Sequence, residues 1–306
     1  MTGYETVNSF STFPFFDYNE IMNELLLRPT VLAIPFFALL IALEAWYDAR
    51  QQAGEYEKKD AWTNIALGFG SVIFGAIFGL FQAFAYESHY NIAPYQMPMN
   101  TVWAWVLLVF IDDFAYYWFH RLSHESRFLW NFHVVHHSSE RYNLSVAVRQ
   151  SWFGGMAHWI FYIPLGLLGF PYWAFLLVHG FNLIYQYWIH TQFIGKLGWF
   201  EWIFNTPSQH RVHHAVNEQY LDKNYAGIFC IWDRMFGTFT EETEKPRYGV
   251  IKPINSFNWL WINTHGWVEM WDAMKTKKTF LGKLRCIFGL PAMDFVEKQT
   301  QPDLLN

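Results

Sequence analysis

Long apolar runs, not a two-residue alternation, organise this chain, so the elements they predict are helices rather than strands. A first run extends from about Pro29 to Trp46, with Pro35 inside it and Glu44 near its end. A second, Ala61 to Tyr86, contains no Asp, Glu, Lys or Arg, and a third, Thr101 to His120, carries Asp112 and Asp113. The longest uncharged stretch lies between Arg149 and Lys196, and Gly169-Phe170-Pro171 divides it into two apolar arms, about 151–169 and 172–190. A helix that crosses a bilayer needs about 20 mainly apolar residues. The pattern therefore predicts an all-α, polytopic membrane bundle of about 4–5 spans. From Lys196 to about residue 290 the chain is more polar, with amphipathic pieces and a Trp-rich stretch over Phe257 to Trp271. That region reads as a helical cap lying on the membrane surface. The domain division is then 1–100 for a lead and two spans, 101–290 for the remaining spans and cap, and 291–306 for a tail.

Composition supports the membrane reading. Of 306 residues 53% are hydrophobic, 21% aromatic and only 15% charged, against roughly 25% charged in ordinary soluble domains. A plain soluble enzyme, a disordered chain and a disulfide scaffold are excluded. Mean hydropathy is nevertheless only +0.04, so a large part of the chain must sit in water. The two cysteines, Cys230 and Cys286, form no motif and are expected as reduced thiols. A sequence pI of ≈ 6.2 gives no basic surface for nucleic acid.

Charge also orients the bundle. Residues 1–27 hold acids but no Lys or Arg, and they lack the basic start of a cleaved signal peptide. They read as an external or interfacial lead. Of the 21 Lys and Arg, all but Arg28 fall in the three segments that alternate spans place on one side. Basic residues stay preferentially cytoplasmic, so that side is assigned to the cytoplasm, at an inner membrane or the endoplasmic reticulum.

The same side collects histidines. Eight of the 13 fall in three clusters: His120 and His124; His133, His136 and His137; His210, His213 and His214. Residues three and four apart share a helical face, so each cluster can aim two imidazoles at one centre. Imidazole is the commonest metal ligand near neutral pH. Eight or more ligands exceed what one ion takes, which implies two. Zinc saturated by histidine would be structural only, whereas iron with an open position binds and activates O2, so iron is preferred. His190 ends the last predicted span on the cytoplasmic side and is a ninth candidate ligand. It closes a polar stripe with His179, Asn182 and Gln186 that must face the bundle interior. His158 and His179 are expected as core hydrogen-bonders or tunnel lining, and His89 and His265 as incidental. Asp112 and Asp113, on the face leading to His120, are expected to accept hydrogen bonds from the outer nitrogens of metal-bound histidines. A zincin reading of His124-Glu125 fails, because Phe128 stands where the second helical histidine is required.

The pattern HxxxH, HxxHH, HxxHH behind a run of spans resembles the fatty acid hydroxylase and sterol desaturase superfamily of membrane di-iron oxygenases. Further strings are similar to its alkylglycerol monooxygenase branch: Tyr116 to Arg121, Trp130, His136 to Glu140, Tyr142 to Leu144, Arg149 to Ser151, Tyr187 to Thr191, Asn205 to Ser208, Asp222 to Gly227, Trp232-Asp233 and Phe236 to Thr238. The resemblance covers roughly residues 100–290. It implies that the eight clustered histidines and His190 hold two irons, that O2 is co-substrate, and that 101–290 is a fatty acid hydroxylase-like di-iron domain. Glu125 matches an acidic position of the branch, which implies a role near the metals or in binding the reductant. The implied electron donor is tetrahydrobiopterin or, in other branches, a redox protein. The implied reaction hydroxylates the carbon beside an ether oxygen of a glycerol ether lipid. The chain lacks the further hydrophobic spans that longer members of the branch carry after this region.

Trp118, Trp130, Trp152 and Trp188 are candidates for lining a lipid tunnel or for an interfacial belt. Desaturation of a lipid or sterol is the alternative within the enzyme class. A histidine-rich metal transporter and a metal-stabilised lipid-binding protein are the alternatives outside it.

Overall fold

The computed structural model describes residues 29–291. The expected lead (1–27) and nearly all of the expected tail lie outside the described residues. A short turn, Pro29–Leu32, precedes helix α1 (Ile34–Gln51). Pro35 sits in the first turn of α1, where its missing N–H has no helical partner to lose. Both acids of α1, Glu44 and Asp48, are buried. Glu44 accepts hydrogen bonds from the Tyr56 hydroxyl (2.6 Å), the Leu144 N–H (2.7 Å) and the Thr191 hydroxyl.

Helices α2 (Lys58–Tyr90) and α3 (Val102–Glu125) are the two among the described residues that are long and apolar enough to cross a membrane. Only 17% and 39% of their most apolar windows are buried within the chain. Apolar faces left outside a core are what lipid contact requires. Helix α3 turns at Ser126 into α4 (Arg127–His137), and it packs on both α4 and α5 (Tyr172–Trp188).

The segment expected as a span over 151–169 is not one helix. It runs as short turns, Gly154–Met156 and His158–Tyr162, followed by the helical piece Ile163–Leu167. Glycines at 154, 155 and 166 and Pro164 lower helix stability locally. Protein covers this irregular backbone in part: Ala157, Tyr162, Leu165 and Gly166 are buried. Tyr162 and Leu165 join Ala83, Tyr86, Leu108, Phe170, Tyr172 and Phe175 in the main apolar core. The break between the two arms is fixed by Gly169, which has φ +87° and lies so near the Tyr95 carbonyl that a Cβ would stand 1.8 Å from it.

The cap also departs from the helical expectation. Between Trp188 and Asn258 it is mostly irregular backbone, interrupted by α6 (Pro207–His213) and α7 (Ile231–Phe236). Side chains replace helical hydrogen bonding there: Asn224 donates to the carbonyls of Gln209 and Thr240, and Asn205 to that of Ala226. Helices α8 (Trp259–Thr276) and α9 (Phe280–Phe288) complete the cap, and both pack against α4. No named strand occurs among the described residues; two isolated bridges join Phe204 to Phe229 and Ala215 to Tyr248.

Candidate metal centre

All nine histidines singled out from the sequence meet at the C-terminal ends of α3 and α5. They form two groups: His120, His124, His133, His137 and His213, and then His136, His190, His210 and His214. Within each group one side-chain nitrogen per residue lies within 4.8 Å of all the others.

Helical periodicity explains the sorting. On α4, His133 and His137 are four apart and share a face, which looks into the five-histidine group; His136, one residue off that face, looks into the other. At α6 the relation is exchanged: His210 and His214 supply the four-histidine group and His213 the five. His120 and His124 from α3 complete the first group, and His190, just beyond α5, completes the second.

The outer nitrogens define the chemistry of the inner ones. His120 Nδ1 lies 2.8 Å from the Tyr225 carbonyl, His213 Nδ1 3.1 Å from that of Lys223, His136 Nδ1 3.1 Å from that of Arg149, and His190 Nδ1 2.7 Å from that of Gln186. A carbonyl only accepts, so each of these Nδ1 atoms carries the proton and each neutral ring turns a bare Nε2 lone pair inward. Burial keeps the rings neutral. It pushes His136 down to about 4, and with the neighbouring imidazoles it holds His133, His137, His210, His213 and His214 well below the ordinary histidine value.

Inside the groups the Nε2 atoms converge. Separations are 3.0 Å for His120–His133 and His133–His137 and 3.1 Å for His137–His213; in the second group they are 3.2 Å for His136–His190, 3.0 Å for His190–His210 and 3.2 Å for His210–His214. His136 and His190 are decisive, because both protons are committed to carbonyls and neither Nε2 has one to donate. Two lone pairs at that distance repel unless a cation lies between them. Nitrogens bound about 2.1 Å from one ion and ligated at right angles stand about 3.0 Å apart. The donor set thus fits a metal ion in each group.

The groups differ at their edges. All four histidines of the second are buried, whereas His133 in the first is partly exposed. Trp130 lies against the first group, 4.9 Å from the His124 ring and 5.4 Å from that of His137. Trp118, Trp152 and Trp188 pack on Phe236, Phe74 and Tyr185 respectively.

Three residues expected in the chemistry are placed differently. Asp112 accepts from His179 Nδ1 (3.1 Å) and Asn182 (2.9 Å), not from a histidine of either group. Asp113 accepts the backbone N–H groups of Ile228 (2.7 Å) and Phe229 (3.0 Å) and the indole N–H of Trp232 (2.9 Å). Asp113 therefore pins the loop whose Tyr225 carbonyl orients His120, and the expected direct contact is replaced by an indirect one. Asp233 works alongside it, accepting from the Tyr225 and Ala226 N–H groups at 2.8 and 2.9 Å. Glu125 is paired with Arg121 at 2.8 Å and its side chain is 36% exposed, outside both groups.

His158 and His179 join neither group, and His89 and His265 bond only their own helices. Cys230 and Cys286 are buried free thiols. The orienting carbonyls were invisible in the sequence, since every residue has one. The nearest signal was the polar string Asp222 to Gly227, whose Asp222 and Asn224 both adopt φ of 56°.

Residues 105–238, which include all nine histidines, match the fatty acid hydroxylase family model. Human alkylglycerol monooxygenase is 41% identical over 264 residues, 85% of this chain and 58% of its own length. The Danio rerio alkylglycerol monooxygenase is 45% identical over 248 residues, covering 79% and 55%. The ornithine lipid hydroxylase OlsE of Rhizobium tropici is 34% identical over 158 residues, covering 51% and 46%. The chain spans about half the length of the curated relatives it matches. No solved structure matches it significantly. Over its histidine-bearing segment, residues 105–238, the chain carries a fatty acid hydroxylase domain.

Proposed function

We propose that the chain is a membrane-bound, O2-dependent lipid monooxygenase whose two histidine groups hold two iron ions. The observation that carries this is the pair of facing Nε2 lone pairs on His136 and His190, which need a shared cation. Iron bound there would supply oxygen activation and C–H cleavage. The balanced reaction takes R–H, O2, two electrons and two protons to R–OH and water. The relatives named as alkylglycerol monooxygenases and lipid hydroxylases support a lipid substrate. For an ether lipid, hydroxylation beside the ether oxygen gives a hemiacetal, which collapses to an aldehyde and a glycerol derivative. The two electrons come from an external donor, with a reduced pterin as the first to test.

The chain's own contribution is orientation and dryness. Nine imidazoles fixed by backbone carbonyls present lone pairs without reorganisation, which is where preorganised sites gain rate. Helices α1 and α5 and the 151–169 segment pack with α2 and α3 as the membrane part, and the histidines face the cytoplasm. A crevice no larger than about one water molecule is lined by Tyr86, His158, Trp159, Tyr162, Tyr172 and Phe175 and is too small as it stands to hold a lipid chain. Its His158 packs 6.1 Å from Phe119, the neighbour of His120.

The test is iron content and oxidation of alkylglycerol and acyl lipids by the purified chain and by His137→Ala. Two irons in the parent, with loss of iron and of product in the variant, are expected. Full iron with unchanged lipid oxidation in His137→Ala would sink the site assignment.

A further inference from the structure

Among the residues whose carbonyls orient the histidines, Arg149 stands apart, because it also uses its side chain on the helix that carries its histidine. Its carbonyl takes the His136 Nδ1 proton. Its Nε donates to the Val135 carbonyl (2.8 Å) and the Ser138 hydroxyl (3.1 Å), and a terminal nitrogen donates to the same hydroxyl at 2.7 Å. One residue thus brackets the last turn of α4, gripping the positions immediately before and after the His136–His137 pair. The other terminal nitrogen reaches α2, donating to Asn64 Oδ1 at 2.7 Å and lying 3.7 Å from Asp60 Oδ1.

Arg149 is 2% exposed, and a buried cation needs a counter-charge. Asp60 supplies it and is itself held by Asn64 (3.0 Å) and by the Ser139 hydroxyl (2.7 Å). The path therefore runs from α2 through Asp60 and Arg149 to the ring of His136. In the first group His120 and His213 rest on carbonyls of the 223–225 loop, and the exposed Asp222 carboxylate lies 3.7 Å from His124 Nδ1.

We propose that Arg149, backed by Asp60, is a positioning residue for the four-histidine group, holding His136 in the orientation that lets this group bind its ion. The proposal rests on the two-metal reading above. It predicts a selective defect. Loss of the grip should weaken the second ion far more than the first, because the Arg149 carbonyl orients His136 itself, whereas His120 and His213 of the five-histidine group are held by the carbonyls of Tyr225 and Lys223.

The test is anaerobic Fe2+ titration of the purified full chain in detergent, read as ions bound per chain and as two binding constants. His214→Ala and His213→Ala serve as markers for the second and first group. Arg149→Lys keeps the charge but loses the fork, and one ion should bind at least tenfold more weakly, as outer partners of metal ligands usually do when altered. Its remaining ion should match that of His214→Ala. Asp60→Asn, which keeps shape, should show a smaller defect in the same ion, and it stands in if Arg149→Lys does not fold. Equal weakening of both ions marks a merely structural role and overturns the proposal, as does an unchanged titration. A parent chain that binds fewer than two ions instead overturns the two-metal reading.

Discussion

The five-histidine and four-histidine groups are built from the same side chain and share α4 and α6, yet they are held by different means. The first hangs on a loop: Asp113 and Asp233 pin residues 225–229, and that loop presents carbonyls to His120 and His213. The second is held by a helix end and a buried cation, through the Gln186 carbonyl of α5 and through Arg149. The first has a surplus ligand and a partly exposed edge; the second has neither. Identical ligand chemistry can therefore give one site with a dispensable ligand, His124, and one site with none.

Ligand removal separates them most sharply. His214→Ala leaves three histidines in its group and should cost that ion and more than ~100-fold in activity. His124→Ala leaves four in the other group, and His124 Nε2 makes no contact of hydrogen-bond length. It should keep both ions and lose only about tenfold. Iron analysis beside turnover reads both, and equal losses would erase the distinction.

Loop pinning gives the next effect. Asp113→Asn removes charge-assisted bonds to buried N–H groups and should cost about 1.5–3 kcal/mol in unfolding free energy. Metal binding should weaken in the five-histidine group alone, seen as one shifted constant in an Fe2+ titration.

Acid acts on the metal-free chain. Its buried rings, His136 at about 4, bind fewer protons folded than unfolded, so stability must rise with pH. It should be level above about pH 7 and fall as pH drops through about 6.5 toward 4. Thermal melts in a buffer series read this; melting that stays level down to pH 5 would contradict buried neutral histidines.

The smallest effect belongs to Glu125. Its exposed i,i+4 pair with Arg121 is worth about 0.3–0.5 kcal/mol, so Glu125→Gln should melt nearly as the parent does and keep both ions. If turnover falls in that variant while iron stays full, the defect belongs to the electron donor and appears as a higher KM for it.

Much of the site was legible because its determinants are local. Spacings of three and four put histidines on defined helical faces, and composition placed the clusters beside apolar runs. The irregular 151–169 arm and the loop-rich cap were less legible. Their backbone is stabilised by distant partners, such as Asn263 accepting from the Trp152 N–H at 2.9 Å, and such partners leave no periodic signal.

By itself the sequence determined the nine histidines, their helical spacing and the bilayer-length apolar helices, since these follow from residue identity and local periodicity. Only the tertiary structure decided how the histidines divide five to four, which carbonyls fix their tautomers, and that Asp112 and Asp113 hold a histidine and a loop outside the groups. Those outcomes depend on which backbone atoms the packed helices bring within 3 Å of a ring nitrogen, and every residue carries the same backbone.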